Sequence, residues 1–265
     1  MYNLIFDIGA NRGQFLKNYL STSKKVVAVE GNPFLAEEIN LKYKTEIQNG
    51  SLIVVNKAIS SAEGGGFVDF YINNYSSGLS RITPPKLHPE DFKVLKTQQI
   101  SYGELVDLYG RPDMVKIDLE GYDKVILDYM LEKSLLPDYI QFENCGLDSI
   151  KKLIHSGHYC SWNIVAQYNF KKIYKGRSLY NFNPFGSQII SPWLNDKQIV
   201  ELYLQMPQSW FDIHAKKNQE MGAEIIFDYY KTTFSLILTI KKIFPHQLKA
   251  LIKKVLIGSG FQRKV

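Results

Sequence analysis

The residues of this 265-residue chain whose types and spacing suit chemistry are Asp7, Gly9, Gly13, Glu30, Asp118, Glu120 and Glu143. Asp7 follows a short apolar run, Leu4-Ile5-Phe6, and Gly9 and Gly13 come next, four apart. Glycines at such a turn let a ligand approach the backbone, and the helix start beyond them offers unpaired N–H groups. About twenty residues on, Glu30 ends a second apolar run, Val26 to Val29, where nucleotide-type sites place an acid for the ribose hydroxyls. The dinucleotide fingerprint is absent, because it would need glycines where Asn11 and Gln14 stand. That disfavours a nucleotide-binding dehydrogenase. An adenosyl ligand with an amino-acid tail fits better. Asp7 would take its ammonium, the N–H groups of the turn its carboxylate, and Glu30 its ribose. The competing reading is a strand-to-helix turn that binds nothing.

The second group lies at two further strand ends. Asp118 and Glu120 follow the apolar stretch Met114 to Ile117, two apart in what reads as an extended turn, so both face one cleft. Glu143 and Asn144 follow Tyr139 to Phe142. Carboxylates so placed can take the proton of an acceptor hydroxyl or anchor the acceptor. Asp118 or Glu120 is the expected base or anchor, with Glu143 assisting. Asp118, Glu143 and Asn144 also offer oxygen ligands for one Mg²⁺. Against that, Glu143 would accept N–H bonds at a helix start or hold the acceptor. His155 and His158 straddle a helix stop at Gly157 and lack a third ligand, which reads as surface rather than zinc. Two cysteines, Cys145 and Cys160, make neither a disulfide framework nor a CxxC site. The default is a reducing, cytoplasmic compartment, and no signal peptide precedes the first strand.

These residues need elements to position them. Strands are expected at Leu4–Phe6, Lys24–Glu30, Leu52–Asn56, Met114–Ile117 and Tyr139–Phe142. Helices are expected from Arg12, over 33–43 with Asn32 as cap, from the capping box Ser101-x-x-Glu104 to Tyr109, after Gly121, and over 148–155. Asn56 and Ala58, at the end of the third strand, lie where an adenine would. From 61 to 100 the alternation breaks. Phe67 to Ile72 reads as a strand, but Asn73 to Arg81 is turn-rich and the stretch to Gln99 shows little periodicity. This insertion is expected to be a lid or substrate loop, or else a disordered surface loop.

Together these motifs resemble the FkbM family of methyltransferases. The resemblance is carried by Asp7-x-Gly9-Ala10-Asn11-x-Gly13 and by VKIDLEGYD, Val115 to Asp123. VVAVEGNP, VVNKAIS, SSGLSR and YIQFEN agree between and after them. It covers about Leu4 to Phe170. It implies an α/β fold: a seven-stranded, Rossmann-like class I methyltransferase sheet with helices on both faces. It further implies S-adenosylmethionine as methyl donor and O-methyl transfer, commonly onto a sugar or secondary-metabolite hydroxyl. Asp7, Gly9, Ala10, Asn11, Gly13, Glu30, Asn56, Ala58 and Asp118 would then hold the donor. A non-catalytic adenosyl- or sugar-binding module on the same fold is the alternative.

The core is expected over 1–175. Trp162–Tyr168 and Lys171–Tyr174 would close the sheet as a hairpin. In 176–230, a C-terminal helical extension and possible acceptor-side cover, helices are expected at 195–205 and 214–230. Tyr180, Phe182 and Phe185 there would stack on sugars or simply pin a loop to the core. The net charge of +6 is a local property: eight basic and no acidic residues lie from Tyr229 onward, leaving 24 basic against 26 acidic before it. Residues 231–265 read as a basic amphipathic tail, docked on the protein or a second copy, or peripheral on a membrane. No nucleic-acid motif is present.

Overall fold

The computed structural model of the chain describes residues 1–166, 185–189, 193–205 and 211–217. Seven strands form the main sheet: β1 (Tyr2–Ile8), β2 (Ser23–Val29), β3 (Leu52–Val55), β7 (Met114–Ile117), β8 (Tyr139–Glu143), β9 (Ser161–Ala166) and β10 (Phe211–Lys216). Their order is β3-β2-β1-β7-β8-β10-β9. The first five run parallel, and β10 runs antiparallel to both its neighbours. The chain winds from β1 to β2 to β3 in one direction and from β7 to β8 in the other. Right-handed crossovers therefore put the two sets of helices on opposite faces. One set is α1 (Leu16–Leu20), α2 (Pro33–Lys42) and α3 (Lys44–Gln48). The other is α4 (Tyr102–Tyr109), α5 (Asp123–Glu132), α6 (Leu147–His155) and α7 (Asp196–Gln205), each packed on the next. The direction reverses between β1 and β7, which opens a crevice at their carboxyl ends.

Local sequence explains most boundaries. The central strands are continuous apolar runs because both faces are covered: Ile5, Phe6, Val26, Val27, Val115 and Ile140 are fully buried. Asn32 caps α2, its side chain accepting from Phe34 N at 3.0 Å. The capping box of α4 is complete: Ser101 Oγ accepts from Glu104 N at 3.1 Å and Glu104 Oε2 from Ser101 N at 2.7 Å. In α7, Asn195 and Gln198 exchange the equivalent bonds at 2.9 and 3.0 Å. On α5, Ile126, Tyr129 and Met130 face inward as expected, but Leu127 is buried and Val125 is about a third exposed.

Three expectations are corrected. The stretch before Gln99 is not a loop: β6 (Phe92–Ser101) is a ten-residue strand. It pairs antiparallel with β5 (Phe67–Asn73) and parallel with β4 (Ala58–Ser60) in a second, three-stranded sheet. Lys93, Val94 and Lys96 are exposed on it, so its apolar pattern is diluted. The insertion is thus ordered. Second, His214 lies in a strand and not a helix. Third, that strand, β10, slots between β8 and β9, so the main sheet draws on the chain well beyond position 175. Two polar members of β10 are buried: Asp212 accepts from Gln141 Nε2 at 2.9 Å and His214 Nδ1 lies 2.8 Å from Tyr139 Oη. Phe185 is in the core beside Tyr2 and Tyr19, with ring centroids 5.9 and 5.1 Å away, so it pins its loop. Expectations for Lys171–Tyr174, Tyr180, Phe182, 218–230 and the tail 231–265 lie outside the described residues. Among the described residues no helix is long and apolar enough to cross a membrane.

The α4 cap offers a direct check on this reading. Ser101→Ala removes the Oγ that accepts from Glu104 N, keeps the backbone N–H that donates to Glu104, and should lower unfolding stability by about 1 kcal/mol. In urea titration the midpoint should fall while the slope stays unchanged.

Candidate functional site

The crevice holds a cavity of about 1010 Å³ whose wall includes Gly9, Asn11, Glu30, Asp118, Glu120 and Glu143. It sits at the carboxyl ends of β1, β2, β7 and β8. Six of the residues singled out from the sequence thus share one cavity wall.

The glycine turn is shaped as much by packing as by ligand approach. Gly9 N and Ala10 N donate to Val29 O at 2.9 and 3.1 Å, which clamps the turn to β2. Gly9 has φ +80°, and a Cβ there would lie 1.9 Å from Asp118 O. Only glycine lets the ends of β1 and β7 come so close. Gly13 also has a positive φ, but it packs against Leu16 and Ile39 and not on the cavity wall. Ala10 is buried in the core. Of the turn, Gly9, Asn11 and Arg12 reach the cavity.

Glu30 is buried and both its oxygens are engaged. Oε2 accepts from Asn11 N and Oε1 from Asn32 N, each at 2.7 Å. Burial pushes its carboxyl up to about 7 against the pull of those two bonds. One carboxylate thus joins the glycine turn to the start of α2 and still lines the cavity. Asn56 does not line it: its Nδ2 donates to Glu30 O at 2.8 Å, so it supports Glu30 from behind. Ala58 is on the wall, beside Ile59 and Phe70. The Phe70 ring covers Gly31, where a Cβ would come within 2.6 Å of it. These make one apolar end, with Phe70 supplied by the insertion.

Asp7 is fully buried and lies off the cavity wall. Its neighbour is Lys116, a lysine in the middle of β7. Lys116 Nζ stands 3.6 Å from Asp7 Oδ1, 3.2 Å from Asp118 Oδ2 and 3.2 Å from Gly9 O. Burial disfavours its charge, but Asp118 and Asp7 outweigh that and hold its pKa above the ordinary value. Burial raises the Asp7 carboxyl in turn, against the pull of Lys116. The expected partner of Asp7, a ligand ammonium, is thus replaced by the chain's own. Sequence reading passed over Lys116, although a lysine inside an apolar strand is itself a signal of a buried charge pair.

The other end of the cavity is acidic. Glu120 has φ +52°, so the turn after β7 is left-handed and not extended as expected. Asp123, nearly fully buried, fixes that turn by accepting from Leu119 N and Gly121 N at 3.3 Å each. Glu120 and Glu143 both line the cavity. Burial first, then Asp118, pushes Glu120 up to about 7; the same causes, with Glu120 added, push Glu143 up to about 8. Asp212 joins them from β10 and was missed, because 211–213 were assigned to no element and the rest of the strand was read as helix. Asn144 is spent elsewhere: its Oδ1 accepts from Tyr203 Oη at 2.8 Å and Gly146 N at 3.2 Å. With Lys116 on Asp118 and Asn144 committed, the proposed Mg²⁺ donor set does not fit. Among the described residues no group of His, Cys, Asp and Glu is placed to hold a metal. His155 is exposed and His158 Nε2 lies 3.0 Å from Pro137 O, both away from the cavity.

Comparison with protein-family models and with curated proteins returns no match. Solved structures do align. Methyltransferase FkbM from Methylobacillus flagellatus is 12% identical at TM-score 0.37, over 58% of this chain and 36% of that one. Precorrin-6y C5,15-methyltransferase from Geobacter metallireducens is 15% identical at 0.35, over 82% and 80%. Residues 961–1257 of StiE, an O-methyltransferase region, are 10% identical at 0.40, over 89% and 75%. The chain spans about a third of the first of these. Likeness at this level carries no residue role across.

The raised carboxyl of Glu143 has a consequence for stability. The folded state binds its proton more tightly than the unfolded chain, so stability at this group falls as pH rises from 4.5 towards 8. Glu143→Gln should flatten that dependence and leave the variant more stable than wild type at pH 8 and above. Denaturant titrations at pH 5, 7 and 9 measure it; identical slopes for both proteins would rule the raised pKa out.

Proposed function

We propose that this protein is an S-adenosylmethionine-dependent O-methyltransferase acting on a hydroxyl of a sugar, glycan or secondary metabolite. The observation that carries the reading is the division of one cavity. An acid held by two backbone N–H groups, a glycine turn and an apolar wall occupy one end, and Glu120 and Glu143, which no cation among the described residues contacts, occupy the other.

The donor fits the residues present. Gly9 and Asn11 would face its amino-acid tail, Glu30 its ribose, and Ala58, Ile59 and Phe70 its base. Asp118, compensated by Lys116, remains on the wall for the ammonium. Held there, S-adenosylmethionine would supply a methyl group activated by its sulfonium for transfer to an acceptor oxygen. The protein's own task is to align the hydroxyl and take its proton. Glu120 is the base this reading favours. A carboxylate with pKa about 7 is half ionised at neutral pH and basic enough to accept that proton. Glu143 orients the hydroxyl. The reading invokes no metal: of the oxygen ligands expected for one, Asn144 is committed to Tyr203 and Gly146 and Asp118 to Lys116.

Glu30→Ala should weaken S-adenosylmethionine binding by at least about tenfold, because two charge-assisted bonds are lost. Isothermal titration reads this, and an unchanged affinity would remove Glu30 from the ribose.

Turnover in Glu120→Gln should drop by about 10²-fold or more with donor affinity nearly intact. Wild-type turnover should survive EDTA. A fully active Glu120→Gln protein would move the base elsewhere, and EDTA inactivation would restore the metal.

A further inference from the structure

Residues 76–82 form the cavity wall near Glu120, and the fold holds them in place. Arg81 and Tyr71 exchange both backbone bonds, at 2.8 and 2.9 Å. Asn73 Oδ1 accepts from Tyr75 N and Ser76 N at 3.0 and 2.9 Å, and Ser80 Oγ accepts from Asn73 N at 3.2 Å. Ser77 Oγ donates to Asn11 Oδ1 at 3.0 Å, which ties this segment to the glycine turn. The backbone of Arg81 is therefore fixed relative to the cavity.

Its side chain lines that cavity and is held by its stem. Nε donates to Leu79 O at 3.1 Å, and the guanidinium carbon stands 5.9 Å from the centre of the Phe92 ring. Among the described residues its terminal nitrogens meet no carboxylate. Glu120 is near enough for the Arg81 charge to pull its pKa down, yet no ion pair joins the two. The other cations of the wall are placed differently. Arg12 is paired with Glu38 at 2.6 Å, Lys42 Nζ stands 5.0 Å from the centre of the Tyr43 ring, and Lys57 stands beside Ala58 at the apolar end. The nearby acids do not cancel Arg81 either: Asp118 already has Lys116, and Glu120 and Glu143 keep part of their protons at neutral pH.

A guanidinium presents parallel N–H donors that match two oxygens of one anion. We propose that Arg81 binds an oxyanion of the acceptor, so that the acceptor is a hydroxylated acid, carrying a carboxylate or a phosphate, whose reacting hydroxyl faces Glu120. This rests on the methyl-transfer reading of the same cavity and narrows its substrate class. The fork fits either anion. The gap between Arg81 and Glu120 is where a molecule with both groups would sit.

The test uses the full chain, wild type and Arg81→Gln, with acceptors in matched sets: glucose, glucuronate and glucose 6-phosphate. Isothermal titration with S-adenosylmethionine comes first; wild type and variant should bind it alike. With labelled donor, the wild type should favour an anionic member over glucose by at least about tenfold in kcat/KM, and Arg81→Gln should lose that preference. Which anion wins separates carboxylate from phosphate. In parallel, glucuronate or glucose 6-phosphate should raise the melting temperature of the donor-loaded wild type and not of the variant. Equal or better use of glucose overturns the proposal. So does an Arg81→Gln protein that keeps the anion preference, or the absence of both anion-dependent turnover and anion-dependent stabilisation. Donor binding without any anion effect would sink this inference alone, whereas a wild type that does not bind donor would sink the methyl-transfer reading beneath it.

Discussion

The site depends on one buried ammonium. Lys116 is almost inaccessible to solvent, and an unpaired charge at such depth would cost several kcal/mol. Its partners are the last turns of two neighbouring strands: Asp7 and the Gly9 carbonyl from β1, Asp118 from β7. The same group that is forced to find partners therefore draws together the two loops that make the cavity. Gly9 is the steric half of this arrangement. Its missing side chain lets the β1 turn lie against the Asp118 carbonyl, and any Cβ there would push the loops apart. Charge and packing act on the same pair of backbones.

The remaining walls follow from topology. A parallel sheet that reverses direction between β1 and β7 leaves a crevice whatever the sequence. What the sequence adds is closure. Glu30 fastens the glycine turn to the start of α2 through two backbone bonds. The inserted β5–β6 hairpin then brings Phe70 over Gly31 and residues 76–82 over Asn11. The segment that interrupts the α/β rhythm is also the one that narrows an open crevice into a cavity.

Sequence legibility tracked how far each signal acts along the chain. The α4 capping box, the Asn32 cap and the apolar runs of β1, β2, β7 and β8 are local, and each was readable. Four strand-end acids were readable because acids placed just after apolar runs stand out. What failed was long-range. β10 alternates apolar and polar residues, but Asp212 and His214 are satisfied by Gln141 and Tyr139, some seventy residues earlier in the chain and on a strand it joins only after folding. Nothing near Phe211 announces those partners. β6 hid for a different reason: Lys93 and Lys96, three apart and so on opposite faces, are both exposed, and no clean alternation marks the strand. Asn56 shows a third kind of error. Its position at a strand end was right for a ligand contact, yet its amide turned back onto the Glu30 carbonyl. Backbone groups compete for side-chain donors, and spacing alone does not say which wins.

Burying several acids around one cavity is costly, and the pattern of compensation shows where that cost is useful. Asp118 has a cation in contact. Asp123 accepts from two backbone N–H groups, although burial still pushes it up to about 6. Both are thereby given structural work, fixing the loop that carries Glu120. Glu120 and Glu143 have no such cation in contact, and their protonated forms gain accordingly. An exposed glutamate, with pKa near 4.3, is ionised at neutral pH but holds a proton too weakly to be an effective base. Desolvation brings Glu120 to the point where ionisation and basicity balance, and the left-handed turn aims it into the cavity. Compensating Glu120 fully would undo this. A salt bridge in contact would lower its pKa and spend its lone pairs, so the gap between Glu120 and Arg81 has a chemical as well as a steric meaning. On the proposed reading it would leave the carboxylate basic and leave room for an acceptor whose proton Glu120 would take.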